Sequence, residues 1–355
     1  MHDDPAREVL LLPFATGALA WPTDGVVRFD EARVLPGLDA TRRAQLRCTQ
    51  AFKPHADELA SAGYACIDDD IDPGSDKPSI ALLLPPRQRD HARALLARAL
   101  LNLAPGGTLV ACQANDEGAR SLQSDLARLC GQVQAASKRH CRVTWASRDA
   151  LDATLVAEWT ALDAPRALDG GWRSRPGVFA WDRIDAASAL LIEHLPRALH
   201  GRAADLGAGT GVLAAALLGR NPQLEVLDLY EADARALALA RENLEARASA
   251  AAETATAGGT VPGFHWHDVT AGLPDRYDVI VTNPPFHLGR ADAPQLGRAF
   301  IAAAAQALLP GGRLWLVANR HLPYEAALAQ DFAYVRELAA REGFKVIEAR
   351  KAGGA

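Results

Sequence analysis

The sequence predicts an α/β protein built from two tandem, doubly wound units. Three observations carry that expectation. The chain has 355 residues, more than one core usually organises. Apolar strand-like runs alternate with Ala- and Leu-rich helical stretches, the pattern of mostly parallel sheets covered by helices. One block also occurs twice. Ser79–Asn115 contains IALLLPP, a helical stretch and NLAPGGTLVACQAN; Val279–Asn319 contains VIVTNPP, an Ala-rich helical stretch and ALLPGGRLWLVAN. Strand, Pro-Pro, helix, Pro-Gly-Gly, strand and Asn, twice in one order, mark an internal duplication.

Composition bounds what such a chain does. Hydrophobic residues are 49% and charged residues 23%, ordinary for a globular protein. No apolar run is long enough to span a bilayer, and the opening MHDDPAREVLLLPF carries acids where a signal peptide carries positive charge. A cytoplasmic protein with no membrane partner is expected. The net charge of −5 argues against coating a polyanion with the whole surface, but leaves room for a local basic patch. Cys48, Cys66, Cys112, Cys130 and Cys141 form no Cys-x-x-Cys pair, so no zinc or redox motif is expected. All five lie in the first half, which leaves the second half without a thiolate nucleophile.

Taken in order, the apolar run Val9–Phe14 reads as a first strand. The stretch Leu10–Leu19 (LLLPFATGAL) leads that strand into no glycine-rich loop. The join falls near Asp149–Arg175, where Asp-Ala-Pro and Asp-Gly-Gly are linker-like, giving domains at 1–160 and 172–355. The second domain opens with a helix over Ile184–Leu195 and a strand over Arg202–Leu206. Gly207-Ala208-Gly209-Thr210-Gly211 then turns into a helix over Val212–Leu218. Glycines at a strand-to-helix turn let a ligand approach the backbone and face a helix N-terminus. The spacing is GxGxG, not the GxGxxG of dinucleotide sites.

The next strand, Leu224–Tyr230, ends in Glu231, placed to hold the ribose hydroxyls of a nucleoside. Asp205, just before the glycines, can accept from a cationic amino group. A strand over Gly263–His267 ends in Asp268, placed to accept from an adenine amino group. Its His265-x-His267 pair reads as a strand face, and no metal is expected. Ser249–Gly263 reads as a surface loop.

Tyr277–Val281 is a buried strand, and it stops at Asn283-Pro284-Pro285-Phe286. Proline has no N–H for the ladder and forces the preceding residue into an extended shape, so Asn283 is presented by stiff backbone. An aromatic amino group is a poor nucleophile because its lone pair is delocalised. Two acceptors, the Asn283 side-chain oxygen and the Pro284 carbonyl, can localise that lone pair toward a methyl sulfonium. Phe286 can stack on the base. The first copy has Leu84 for Asn283 and Arg87 for Phe286, so it keeps the fold and loses the site.

These motifs resemble the ribosomal RNA guanine-N2 methyltransferases, above all the small-subunit enzymes of class C, with the large-subunit class G close behind. The resemblance rests on PGVFAWDRIDAASALL (Pro176–Leu191), DLGAGTGVLA (Asp205–Ala214), YDVIVTNPPFHLG (Tyr277–Gly289) and GGRLWLVANRHLPY (Gly311–Tyr324). It implies two class I, Rossmann-like methyltransferase domains with mostly parallel seven-stranded sheets and an antiparallel edge hairpin. In that family the first domain is degenerate, a structural platform that helps hold RNA.

The resemblance implies S-adenosylmethionine as donor and guanine N2 in 16S rRNA, within the 30S subunit, as acceptor. It carries catalysis onto Asn283, Pro284, Pro285 and Phe286. It carries cofactor binding onto Asp205, Gly207, Ala208, Gly209, Gly211, Glu231, Ala232, Asp268, Val269 and Asn283. Ala208 stands where the family often has Cys, and Asp228 or Asp233 competes with Glu231 for the ribose. Arg87, Arg89, Arg93, Lys138, Arg139, His140 and Arg142 are the RNA-contact candidates of the first domain, and Asn319 and Tyr324 are candidates for the substrate side. A monomer is expected. Asn-Pro-Pro also occurs in protein-glutamine and DNA-adenine methyltransferases, and a non-catalytic ribosome-assembly factor is a further alternative.

Overall fold

The computed structural model describes all residues except 1–3, 68–76, 253–259, 286, 289–290, 293 and 355. The chain divides into two compact units. The first comprises residues 1–164 and 175–177, and the second 165–174 and 178–355. The chain passes between units after residues 164, 174 and 177, the first two changes falling within Asp149–Arg175 and the third just beyond it.

In the second unit, seven strands stand in the order Pro262–Trp266, Leu224–Glu231, Gly201–Leu206, Tyr277–Thr282, Leu308–Asn319, Phe344–Arg350, Tyr334–Arg341. The first five run parallel; the last two form an antiparallel hairpin on the edge. Glu342 and Gly343, both at positive φ, make its turn, the backbone a two-residue hairpin needs. Strand order reverses between Gly201–Leu206 and Tyr277–Thr282, which pair in register with Leu206 opposite Thr282. The crevice at such a reversal is where doubly wound sheets bind ligands.

Helices cover both faces. Ala186–His194 and Val212–Arg220 pack on one side through Leu190, Leu191, Leu213 and Leu217, against Val279, Val281, Trp315 and Val317. Pro294–Ala307 lies on the other, burying Phe300 and Ile301 against Ile280, Leu314 and Leu316. The alternation of Val279, Ile280 and Val281 between the two clusters is the period of a strand buried on both faces. The helix after Glu231 runs from Ala234 to Ala252, so it extends into the segment expected to be a loop from Ser249.

The first unit repeats the plan. Its sheet order is Leu46–Cys48, Val27–Asp30, Ile80–Leu83, Thr108–Ala114, Cys141–Ser147, Gln134–Lys138. Six strands are described, and a single parallel bridge between Cys48 and Cys66 stands where the seventh strand belongs. Val9–Phe14 is not a strand. Two short helices, Ala6–Val9 and Leu12–Ala15, occupy this region, with Pro13 at a helix start. Proline is tolerated in a first turn but cannot serve a central ladder, and that decides the matter. The strand equivalent to Gly201–Leu206 is Val27–Asp30, paired with Ile80–Leu83 so that Asp30 faces Leu83.

Candidate active site

Strand Gly201–Leu206 delivers Asp205 to the crevice. Asp205 is fully buried. Its Oδ2 accepts the Ala214 N–H at 3.0 Å, inside the first turn of the helix after the glycines. Its Oδ1 is buried and has no hydrogen-bond partner among the described residues. Burial pushes the carboxyl up to about 8; the Ala214 N–H pulls the other way, and the Glu231 charge adds to the rise.

The glycine loop folds over this carboxyl. Gly207, Gly209 and Gly211 all have positive φ. The N–H groups of Gly207 and Ala208 donate to the Tyr230 carbonyl at 2.8 and 3.1 Å, tying the loop to the neighbouring strand. A Cβ on Gly211 would sit 2.7 Å from Leu244 Cδ1, whereas one on Gly209 would meet nothing within 4 Å. Gly211 is therefore needed for helix packing. At Gly209 it is the backbone conformation that calls for glycine.

Of the three acids Asp228, Glu231 and Asp233, it is Glu231 that lies against the glycine loop. Its Oε2 accepts the Gly209 N–H at 2.7 Å and its Oε1 the Asp233 N–H at 2.9 Å, so the carboxylate lies against the glycine loop. Burial raises its pKa. Asp228 faces elsewhere, accepting from Tyr277 Oη and paired with His265 Nε2, each at 2.9 Å. Asp233 accepts the Arg235 N–H. Asp268 caps a short turn, its Oδ1 accepting from Thr270 N and Oγ1 at 2.8 and 2.7 Å. Val269 beside it is buried, and the Ala232 carbonyl accepts from Trp266 Nε1 at 2.8 Å.

These residues fit S-adenosylmethionine. The orphaned buried Asp205 oxygen is a seat for a cationic amino group. Glu231 keeps acceptor capacity on each oxygen for ribose hydroxyls, and Asp268 Oδ2 remains for an adenine amino group. The histidines are otherwise engaged. His265 pairs with Asp228 and stacks on Tyr230 with ring centroids 4.6 Å apart, and His267 Nε2 lies 2.6 Å from the Gly272 carbonyl.

Asn283 leaves the sheet next to the glycine loop because Thr282 pairs with Leu206. The Thr282 hydroxyl donates to the Leu206 carbonyl at 2.7 Å and cross-links the two strand ends. Asn283 Nδ2 donates to Asp185 Oδ2 and Ser188 Oγ, both at 2.9 Å. Pro284 is buried and Pro285 exposed; Phe286 lies outside the described residues. Asp185 and Ser188 are additions to the sequence-derived site. Asp-x-x-Ser before an apolar helix is an N-cap signal, and it was visible as such in the sequence.

Several other candidates have partners within the protein. Tyr324 is fully buried, with its hydroxyl standing where a Cβ on Gly297 would go. Arg89 and Arg93 both grip buried Asp125, at 2.9–3.2 Å. Arg142 donates to Gln123 at 2.8 Å, and Arg139 pairs with Glu8.

The fold has relatives of known structure. The T. thermophilus 16S rRNA N2 G1207 methyltransferase RsmC, solved with AdoMet and guanosine, superposes with a TM-score of 0.77 at 24% identity, covering 99% of this chain and 92% of that one. The Methyltransferase small domain family model matches residues 170–348. The ribosomal RNA small subunit methyltransferase C of Shewanella loihica is 34% identical over 277 residues, 76% of this chain and 77% of the relative. The chain belongs to the ribosomal RNA small subunit methyltransferase C family. A relative from the wider group, the ribosomal RNA large subunit methyltransferase G of Alcanivorax borkumensis, is 40% identical over 189 residues, 52% of this chain but 46% of the relative. The likeness in fold to the T. thermophilus structure extends over both units. Among the described residues no helix is long and apolar enough to cross a membrane.

Proposed function

We propose that this protein transfers a methyl group from S-adenosylmethionine to the exocyclic N2 of a guanosine in 16S rRNA, acting on the assembled 30S subunit as a cytoplasmic monomer. The observation that carries the reading is the register of Thr282 with Leu206. By that register Asn283 follows the strand end next to the one that leads into the glycine loop, whose Gly209 N–H Glu231 accepts. The cofactor supplies an electrophilic methyl sulfonium when bound. The protein's own work is positioning. The Asn283 Oδ1 and the Pro284 carbonyl accept the two N–H bonds of the amino group, which turns its lone pair toward the methyl. Asp205 holds the donor's ammonium and Glu231 its ribose. No covalent intermediate is required, in keeping with a second unit without cysteine.

The first unit serves as the platform, and Arg87, Lys138 and His140, all exposed, are its RNA-facing candidates. A second reading, the same chemistry on 23S rRNA, is favoured by the higher identity of the class G match, although that match spans only 52% of this chain. Radiolabelled S-adenosylmethionine, offered with unmodified small subunits, large subunits and free rRNA and analysed as nucleosides, tests both. Label in N2-methylguanosine from small subunits supports the first reading. Label only from large subunits replaces it with the second, and label in no RNA defeats both.

A further inference from the structure

Asn283 is held by more than its backbone. Both protons of its amide are directed at acceptors on the helix Ala186–His194, namely Asp185 Oδ2 and Ser188 Oγ. Asp185 is itself fixed, since the same Oδ2 accepts the Ser188 N–H at 2.8 Å as the helix N-cap. Ser188 is buried. An ionised carboxylate can only accept, so it dictates which edge of the amide faces it. The flipped amide would set oxygen against oxygen at 2.9 Å. The carbonyl edge of Asn283 is therefore turned away from Asp185.

We propose that Asp185 and Ser188 are positioning residues for methyl transfer. They lock the Asn283 amide with its oxygen presented to the acceptor amine, and the Asp185 charge makes that oxygen a stronger acceptor. The second effect arises from polarisation. A charge-assisted bond to the N–H side of an amide draws electron density onto its oxygen, and linked hydrogen bonds strengthen one another. A free amide flips between two orientations, and one of them offers the substrate –NH2 a donor where it needs an acceptor. The arrangement removes that orientation before substrate arrives, so no reorganisation is left for the reaction itself. This inference rests on the reading of Asn283 as the amine acceptor.

The test uses the full-length protein and four variants: Asp185→Asn, Asp185→Ala, Ser188→Ala and Asn283→Ala. Asparagine caps a helix about as well as aspartate, so Asp185→Asn keeps the cap and removes only the charge. Five quantities are read: thermal midpoint, cofactor Kd by calorimetry, single-turnover rate, KM for rRNA, and the Asn283 side-chain amide resonances in 15N NMR, assigned by their loss in Asn283→Ala. For Asp185→Asn we expect an unchanged midpoint, Kd and KM, with a rate lowered roughly 10- to 100-fold. For Ser188→Ala the drop is smaller, and in both variants the Asn283 amide resonances shift. A cap-only role predicts instead that Asp185→Asn matches the parent and only Asp185→Ala loses stability. A rate within about two-fold of the parent, or unmoved amide resonances, overturns the proposal while Asn283→Ala remains inactive. An active Asn283→Ala overturns the functional reading beneath it.

Discussion

Asp205 should release its proton when the cofactor binds. The group is fully buried, one of its oxygens has no partner among the described residues, and burial pushes its pKa from 3.8 to about 8. At pH 7 the free protein therefore holds roughly 0.9 proton there. A ligand ammonium against Oδ1 favours the ionised form, so binding at pH 7 should expel most of that proton, and at pH 8 roughly half of one. Calorimetry in buffers of different ionisation enthalpy reads this number directly. The same carboxyl governs stability. Its folded pKa lies above its unfolded one, so between about pH 4 and 8 the folded state binds more protons than the unfolded. Stability must then fall as pH rises through that window, by up to about 1.4 kcal/mol per pH unit, and level off above it. Glu231, also raised, adds with the same sign. Asp205→Asn should flatten the Asp205 share of that slope, abolish most of the proton release and weaken cofactor binding by about 2 kcal/mol, the worth of a charged hydrogen bond. Buffer-independent heats in the parent protein, or equal proton release in Asp205→Asn, would refute the reasoning.

Other positions separate packing from ligand contact. Gly209→Ala should cost about 1 kcal/mol of stability, the strain of a left-handed alanine, because its Cβ meets no protein atom; Gly211→Ala adds a clash with Leu244 and should cost roughly 1–3 kcal/mol more by chemical denaturation. Equal losses would contradict the geometry. Asp125→Ala leaves two partly exposed arginines without their shared carboxylate and should destabilise by about 1.5–3 kcal/mol. Burial opposes ionisation of Asp125, but the Arg93 and Arg89 bonds overcome it and lower its pKa. That stabilisation is present above the unfolded pKa and is lost as pH falls through the lower folded one; an acid titration of the parent against Asp125→Asn checks it. Arg93→Ala should lower the thermal midpoint and leave the salt slope of rRNA binding unchanged, since Arg93 is half of a clamp and also lies 4.5 Å over the Trp159 ring.

Much of the site was legible in the sequence because its chemistry needs rare local patterns. Glycines at positive φ and a proline pair after a buried strand are constraints of the backbone, and backbone constraints show in residue type. Glu231 could be preferred over Asp228 from register alone, because successive residues of a strand face opposite sides and the two stand three apart. The Asp185–Ser188 support was not legible as such, since an N-cap looks the same whether or not a side chain 95 residues away also uses it. The opening Val9–Phe14 run misled because apolar periodicity alone cannot separate a short strand from a short helix; Pro13 was the better guide. The roles of Arg89 and Arg93 were hidden for a similar reason. Their partner Asp125 lies more than thirty residues away, on a helix that reads as ordinary.

The first unit carries a side-chain amide at the place where the proposed function puts the substrate's amine. Leu83 pairs with Ala111 as Thr282 pairs with Leu316, so Gln113 stands where the catalytic unit has Ala318. By that register Ala114, not Asn115, corresponds to Asn319, and the asparagines ending the two repeats are one residue out of step. The same count sets Phe29 at the place of Asp205, Glu31 at that of Gly207 and Leu84 at that of Asn283. Glu31 keeps positive φ without being glycine. Gln113 donates its side-chain –NH2 to the Pro85 and Pro86 carbonyls at 3.3 and 3.2 Å. An sp² amine thus rests on the carbonyl equivalent to that of Pro284, the place proposed for the substrate's amine. Ala318→Gln in the catalytic unit should then block its own site. We expect cofactor Kd to hold and transfer to fall at least roughly 100-fold, the scale of losing a preorganised acceptor. Ala318→Met, of like volume and without an amide, separates plugging from misfolding: it should disturb packing similarly, yet leave more activity. If Ala318→Gln folds and turns over at the parent rate, the Pro284 carbonyl is not the amine's acceptor.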